Sequence, residues 1–352
     1  MVSFHVANRE YEALTQLASD ADFAPHISTV LRLKLALHQR DWPAVVARLA
    51  EMEFATISAQ PLILALAAGF AWLVIALHSG QPNGLLSYRV LVPLLALCVG
   101  ASGALAAHIV DVWQEEILGF RESGQFLPDL AFYAGIVSPR EEIIKLLLLA
   151  PFLPALLLRR DPLETLIVSG CIGLGFALEG NLQLCRTMKV DDAFGRLLTA
   201  NFFHFAATAL AGTALCNCLH SKFRKSIPFV LTLAGVILAH AVYDAFSMIA
   251  QVRSLYWVSI ASVLVISKLF FIELRRWRNP LTDQCFLGAT LSICLVGLVA
   301  TALVTTSIHA GFHTAIWALL QNATCLFLIG FVFFFRFAND LAPTQQPTVS
   351  EP

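Results

Sequence analysis

The chain is poor in charge: only 13 % of its 352 residues are Asp, Glu, Lys or Arg, against 58 % hydrophobic. So little charge excludes an ordinary soluble domain of this size. A net charge of −1 gives no reason to expect a nucleic-acid partner. The eight cysteines are scattered in or beside apolar runs. Only Cys216 and Cys218 lie close together, so neither a disulfide framework nor a zinc-cluster spacing is present. There is no HExxH segment and no internal repeat. A cleavable signal peptide is not evident, because the first apolar run starts near residue 61.

What the chain does have is a series of apolar runs long enough to cross a bilayer core. They predict an all-α, polytopic membrane helix bundle. Nine spans are expected, at about 61–78, 90–110, 141–158, 163–184, 197–218, 227–249, 255–274, 286–308 and 313–337. Residues 61–338 form the expected membrane domain, and 339–352 read as a disordered tail. Between the second and third spans, Asp111–Ser138 is mixed. Its apolar piece Leu130–Val137 is too short to span and reads as re-entrant or interfacial.

Residues 1–60 predict a small arm of amphipathic helices. One runs from about Asn8 to Ala18, with Tyr11, Leu14 and Leu17 on one face. A second runs from about Ile27 to Leu37. A third follows Asp41 as N-cap, with Val46 and Leu49 on its apolar side. The pattern is similar to a helical hairpin of tetratricopeptide type, and reads more simply as an arm lying on the bilayer or on the membrane domain.

Against this apolar background the polar residues stand out. The third span opens Pro139-Arg140-Glu141-Glu142-Ile143-Ile144-Lys145. Carboxylates at a membrane span are costly and usually functional, although acids also suit an ordinary helix start. Glu142 and Lys145 are three residues apart and can meet on a helix, which leaves Glu141 free to act. The fourth span ends Phe176-Ala177-Leu178-Glu179-Gly180-Asn181, near the small residues Gly173 and Gly175. The fifth carries Asn201 and His204, with Thr208 and Gly212 on one face at four-residue steps. The sixth carries His240 and Asp244, four apart, as an oriented imidazole or as two metal ligands. His309 and His313 flank the loop before the last span and read more simply as interfacial.

Parity joins these sites. Glu141 and Glu142 start a span, Glu179 ends the next, His204 lies early in the one after, and His240 and Asp244 lie late in the sixth. Antiparallel neighbours put all of them at similar depth near one membrane face, as one shared polar site requires.

The ordered set Glu141-Glu142-Ile143-Ile144-Lys145, Phe176-Ala177-Leu178-Glu179, His204 and His240-Ala241-Val242-Tyr243-Asp244 resembles the PrsW family of intramembrane proteases. The resemblance covers roughly residues 127–250, and CAAX prenyl proteases and bacteriocin-processing enzymes are similar in their paired glutamates and later histidines. It implies peptide-bond hydrolysis in a membrane protein substrate embedded in or anchored to the lipid bilayer. It also implies a bacterial cell membrane location and regulated cleavage of an anti-sigma factor as the physiological reaction. The catalytic set expected is Glu141, Glu142, His204 and His240, supported by Lys145, Glu179, Asn181 and Asp244. No cofactor is favoured, and zinc is left open. If zinc is bound, His204, His240 and Glu142 are its expected ligands. A transporter or proton relay, or a non-catalytic scaffold, would use similar residues.

Charge also predicts orientation. Arg159, Arg160, Lys222, Arg224, Lys225, Arg275, Arg276, Arg278 and Arg336 all fall at the ends opposite the motif residues. Basic loops stay cytoplasmic, so the motif face is expected to be extracytoplasmic.

Overall fold

The computed structural model describes residues 11–20, 22–23, 26–53, 59–81, 84, 86–187, 190–278 and 284–341. Among these residues the chain is helical, with no strand. The arm holds α1 (Tyr11–Ser19), α2 (Thr29–Gln39) and α3 (Trp42–Glu53). The membrane part holds α4 (Ala59–Ser79), α5 (Tyr88–Trp113), α6 (Phe126–Phe132), α7 (Ser138–Leu148), α8 (Leu153–Arg159), α9 (Pro162–Thr187), α10 (Val190–His220), α11 (Ser226–Met248), α12 (Trp257–Trp277), α13 (Gln284–Ala310), α14 (Phe312–Asn322) and α15 (Thr324–Leu341). Of the expected tail 339–352, residues 339–341 belong to α15 and 342–352 lie outside the described residues.

Seven helices are long and apolar enough to cross a membrane, or eight if α14 and α15, bent by 48°, make one span. Among the described residues the expected span 313–337 is the bent pair, and the stretch 141–158 is not such a helix. Pro151 and Pro154 cannot continue the hydrogen-bond ladder, so this stretch divides into α7, a 3₁₀ turn at Ala150–Phe152, and α8. The short piece before it is joined to α7 by a π-helical turn, Tyr133–Val137. Tyr133 and Val137 are buried against Ala241, Ala245 and Ile249, so this segment packs on the end of α11.

Helices α9 and α10 form the centre of the bundle, and their glycines explain how closely they pack. A Cβ on Gly173 would lie 2.2 Å from the carbonyl oxygen of His204 and 2.5 Å from Thr208 Oγ1. One on Gly175 would lie 1.9 Å from Leu97 O of α5. Small residues here let three backbones meet around the strand of chain that carries His204. Phe202, Phe205, Phe270 and Phe271 fill the space between α10 and α12, while Phe203 stacks on Tyr243 of α11.

The arm packs on the membrane part through the C-terminal half of α5. Leu33, Ala36, Leu37, Val45 and Leu49 form one cluster with Val112, and Leu105 and Ile109 pack against it. Lys34 Nζ reaches Glu115 Oε1 at 3.2 Å. Asp41 Oδ1 accepts from Ala44 N at 3.2 Å, as an N-cap does. The apolar side of α3 differs from expectation: Val45 and Leu49 are buried, while Val46 is 64 % exposed. Both valines can share a face with Leu49 by spacing, and docking against Val112 selects Val45.

Candidate active site

Six of the eight expected residues form one cluster, built from α7, α10 and α11. Helix α7 begins with Pro139 in its first turn and presents Glu141, Glu142 and Lys145 over one and a half turns. Glu142 and Lys145 are buried, and Glu142 Oε1 accepts from Lys145 Nζ at 2.7 Å. The same oxygen lies 2.8 Å from His240 Nδ1. Lys145 Nζ also lies 2.8 Å from His204 Nδ1 and 3.7 Å from Glu141 Oε2. Its ammonium rests over the Phe176 ring, 4.6 Å from the centroid. A buried lysine is therefore surrounded by two carboxylates, an imidazole and an aromatic face, as a charge removed from water requires.

These contacts fix proton positions. An ammonium only donates, so His204 Nδ1 is an acceptor and its ring proton belongs on Nε2. A carboxylate only accepts, so His240 Nδ1 donates to Glu142. His240 Nε2 then faces Asp244 Oδ2 at 3.0 Å and Glu141 Oε2 at 3.7 Å. Neither is a hydrogen bond of good geometry, and Nε2 is buried without one, as is Glu142 Oε2. The two imidazoles stand edge to face, centroids 4.8 Å apart.

Glu141 differs from its neighbour. Its side chain is 17 % exposed, against 1 % for Glu142. It lines a cavity of about 480 Å³ together with Asp244. The outer wall carries Asp111, Glu115, Arg121, Glu122 and Arg140, with Phe132 and Tyr133 beside them. Arg140, one residue before Glu141, donates through one guanidinium nitrogen to Asp111 Oδ1 at 2.6 Å and to Gln114 Oε1 at 2.7 Å. These bonds tie the start of α7 to the end of α5, where a π-helical turn, Gln114–Leu118, follows. Asp129 folds the preceding loop back by accepting from Ser123 N, Ser123 Oγ and Gly124 N at 2.6, 2.8 and 3.1 Å.

The remaining two expected residues lie on α9. Asn181 donates to Asn201 Oδ1 at 3.2 Å, one turn before His204. Glu179 is half-buried on α9, three residues past Phe176. Thr199 Oγ1 and Tyr243 Oη, 3.1 Å apart, join α10 to α11 below the histidines. Sequence reasoning did not single out Arg140, Asp111 or Gln114. The signal was a basic residue in front of two acids, with Asp111 standing at the end of the preceding apolar run.

The donor set fits a divalent cation. Glu141, His204 and His240 each offer one ligand atom, all within 4.8 Å of one another, and the bare His240 Nε2 is among the nitrogens available. The carboxylate in this set is Glu141; the expected Glu142 lies beside it, with Oε1 bonded to Lys145 and His240.

Residues 87–271, just over half the chain, match the model of a family described as PrsW family intramembrane metalloprotease. No match was found among curated proteins or among solved structures.

Proposed function

The chain belongs to the PrsW family of intramembrane proteases, and from that premise we propose that Glu141 is the general base that activates water against a peptide bond of a membrane-anchored protein. The observation that carries this is the contrast between the paired acids. Glu142 is sealed between Lys145 and His240, while Glu141 alone of the two reaches the cavity. A base must reach both water and substrate, and a positioned carboxylate contributes roughly 10²–10⁴-fold.

The other residues take roles in keeping with their contacts. Glu141 accepts the proton of the attacking water as its oxygen bonds to the carbonyl carbon. His204, holding its proton on Nε2, donates to the oxyanion; one such donor is worth on the order of 10²–10³-fold. The proton held by Glu141 passes to the leaving nitrogen as the C–N bond breaks. Glu142 and Lys145 hold both imidazoles at fixed angles, and Asp244 orients His240. Glu179 and Asn181 belong to the polar lining rather than to the reacting groups.

A second reading rests on the bare Nε2 of His240. Glu141, His204 and His240 would hold a divalent ion such as zinc, which supplies Lewis acidity to a carbonyl or to water when bound. The first reading is favoured because the Lys145 ammonium already lies 2.8 Å from one of those histidines, and His204 Nδ1 accepts from it.

The substrate suggested by the family resemblance is an anti-sigma factor anchored in a bacterial inner membrane. The basic helix ends opposite the site favour an extracytoplasmic active face. The test is a single-span reporter reconstituted with the protein in liposomes. Wild type should cleave it and Glu141→Gln should not; equal rates would remove Glu141 from the chemistry.

A further inference from the structure

We propose that the cavity in front of Glu141 selects substrate by charge, favouring a lysine or arginine beside the bond to be cleaved, and that Glu122 is the residue that reads it. This rests on the reading of Glu141 as the catalytic carboxylate and adds a specificity residue to it. Five carboxylates and two guanidiniums line the cavity, a formal −3 in a chain whose total is only −1. Much of that charge is already matched. Asp111 is bonded to Arg140 at 2.6 Å, and Glu115 to Lys34 at 3.2 Å. Glu141 and Asp244 face His240.

Glu122 is different. Its carboxylate accepts from the hydroxyl of Tyr133, a neutral donor, and it has no cationic partner among the described residues. It is exposed on the cavity wall. The Tyr133 and Phe132 rings line the same cavity, meeting edge to face with centroids 5.8 Å apart. A carboxylate over an aromatic wall suits an ammonium or guanidinium group, which gains an ion pair from the one and a cation–π contact from the other. An acidic substrate segment is repelled by the same negative field before it reaches Glu141.

The experiment uses the full chain in liposomes with a single-span reporter whose cleaved bond is located by mass spectrometry. Lys, Gln or Glu is then placed in turn at positions flanking that bond. Wild type should cleave the Lys reporter with a kcat/KM about fivefold above the Glu reporter at the best position, the upper end for one partly exposed ion pair. The preference should shrink in 1 M salt. Glu122→Gln should remove most of the preference and leave cleavage of the Gln reporter unchanged, and Glu122→Lys should invert it. Equal rates for the three reporters in wild type would overturn the inference. So would a preference that survives both Glu122 variants, or a Glu122→Gln protein that also fails on the Gln reporter. Wild type that cleaves none of the reporters refutes instead the reading of Glu141 on which the inference rests.

Discussion

Glu142 Oε1 and His240 Nδ1 lie 2.8 Å apart although 98 residues separate them in the chain. Lys145 approaches the same oxygen at 2.7 Å, so one carboxylate oxygen joins α7 to α11 and, through Lys145, to His204 on α10. The second acid of the pair thus brackets the three helices together, and the first is the one that lines the cavity.

The two glutamates should therefore fail differently. Glu141→Gln should lower cleavage by roughly 10²–10⁴-fold while stability stays near wild type, because the residue is partly exposed and holds little together. Glu142→Gln should lose cleavage and also about 3–5 kcal/mol of stability, because it leaves the Lys145 charge buried without its nearest anion. Reporter cleavage in liposomes and unfolding in mild detergent measure the two quantities. Equal stabilities for both variants would show that Glu142 is not the bracket.

Metal removal separates the two readings of the chemistry. With Glu141 as a free base, cleavage should persist after prolonged dialysis against a strong chelator, and activity should not track metal content. Stoichiometric zinc in the purified protein, lost together with activity in His204→Ala or His240→Ala, would place the cation in the reaction and refute the free base.

Helix spacing around His204 is the next test. Gly173→Ala puts a Cβ against the backbone carbonyl of His204, which cannot rotate away as a side chain can. The change should cost about 1–3 kcal/mol and reduce kcat by displacing α10 from α7. Gly180→Ala, where nothing lies within 4 Å, should leave both unchanged. A fully active, fully stable Gly173→Ala protein would mean that the α9–α10 spacing does not position the histidine.

The arm gives a stability prediction. Leu37 is 5 % exposed and shares one cluster with Val45, Leu49 and Val112. Leu37→Ala should weaken docking by roughly 2–5 kcal/mol. Hydrogen exchange in detergent should then show faster exchange over α2 and α3 with the α9–α10 core unchanged. Uniform loss of protection across both regions would mean that arm and bundle unfold as one unit.

Much of this architecture was legible because helices translate sequence spacing into direction. Residues three or four apart share a face, so Glu142–Lys145 and His240–Asp244 could be paired from spacing alone, and antiparallel parity placed them at one depth. The reach of Lys145 to His204 was not legible, since it depends on how near α10 lies to α7. That distance follows from tertiary packing, as does the close approach of Gly173 on α9 to His204, which no local pattern encodes. The break at Pro151 and Pro154 had a local signal, but the length of the apolar run outweighed it. The face of α3 was misassigned because Val45 and Val46 are equally apolar, and only docking against Val112 decides between them.

The last prediction concerns sidedness. The packing places the arm and the site at the same end of the bundle, because α5 carries both Val112, buried against the arm, and Asp111, bonded to Arg140. The basic turn Ser221–Lys225 joins α10 to α11 at the far end, since the motif residues lie early in α10 and late in α11. If that turn is cytoplasmic, as its charge predicts, arm and site should both face outward. Single cysteines at Val46 on the arm, Gln125 before α6 and Lys222 in the basic turn, in a cysteine-free background, test both statements. A membrane-impermeant thiol reagent added to intact cells should label Val46→Cys and Gln125→Cys and spare Lys222→Cys. The reverse pattern would refute the orientation but keep the packing. Labelling of only one of Val46→Cys and Gln125→Cys would refute the packing itself, because the contacts between α2, α3 and α5 allow the two positions no membrane between them.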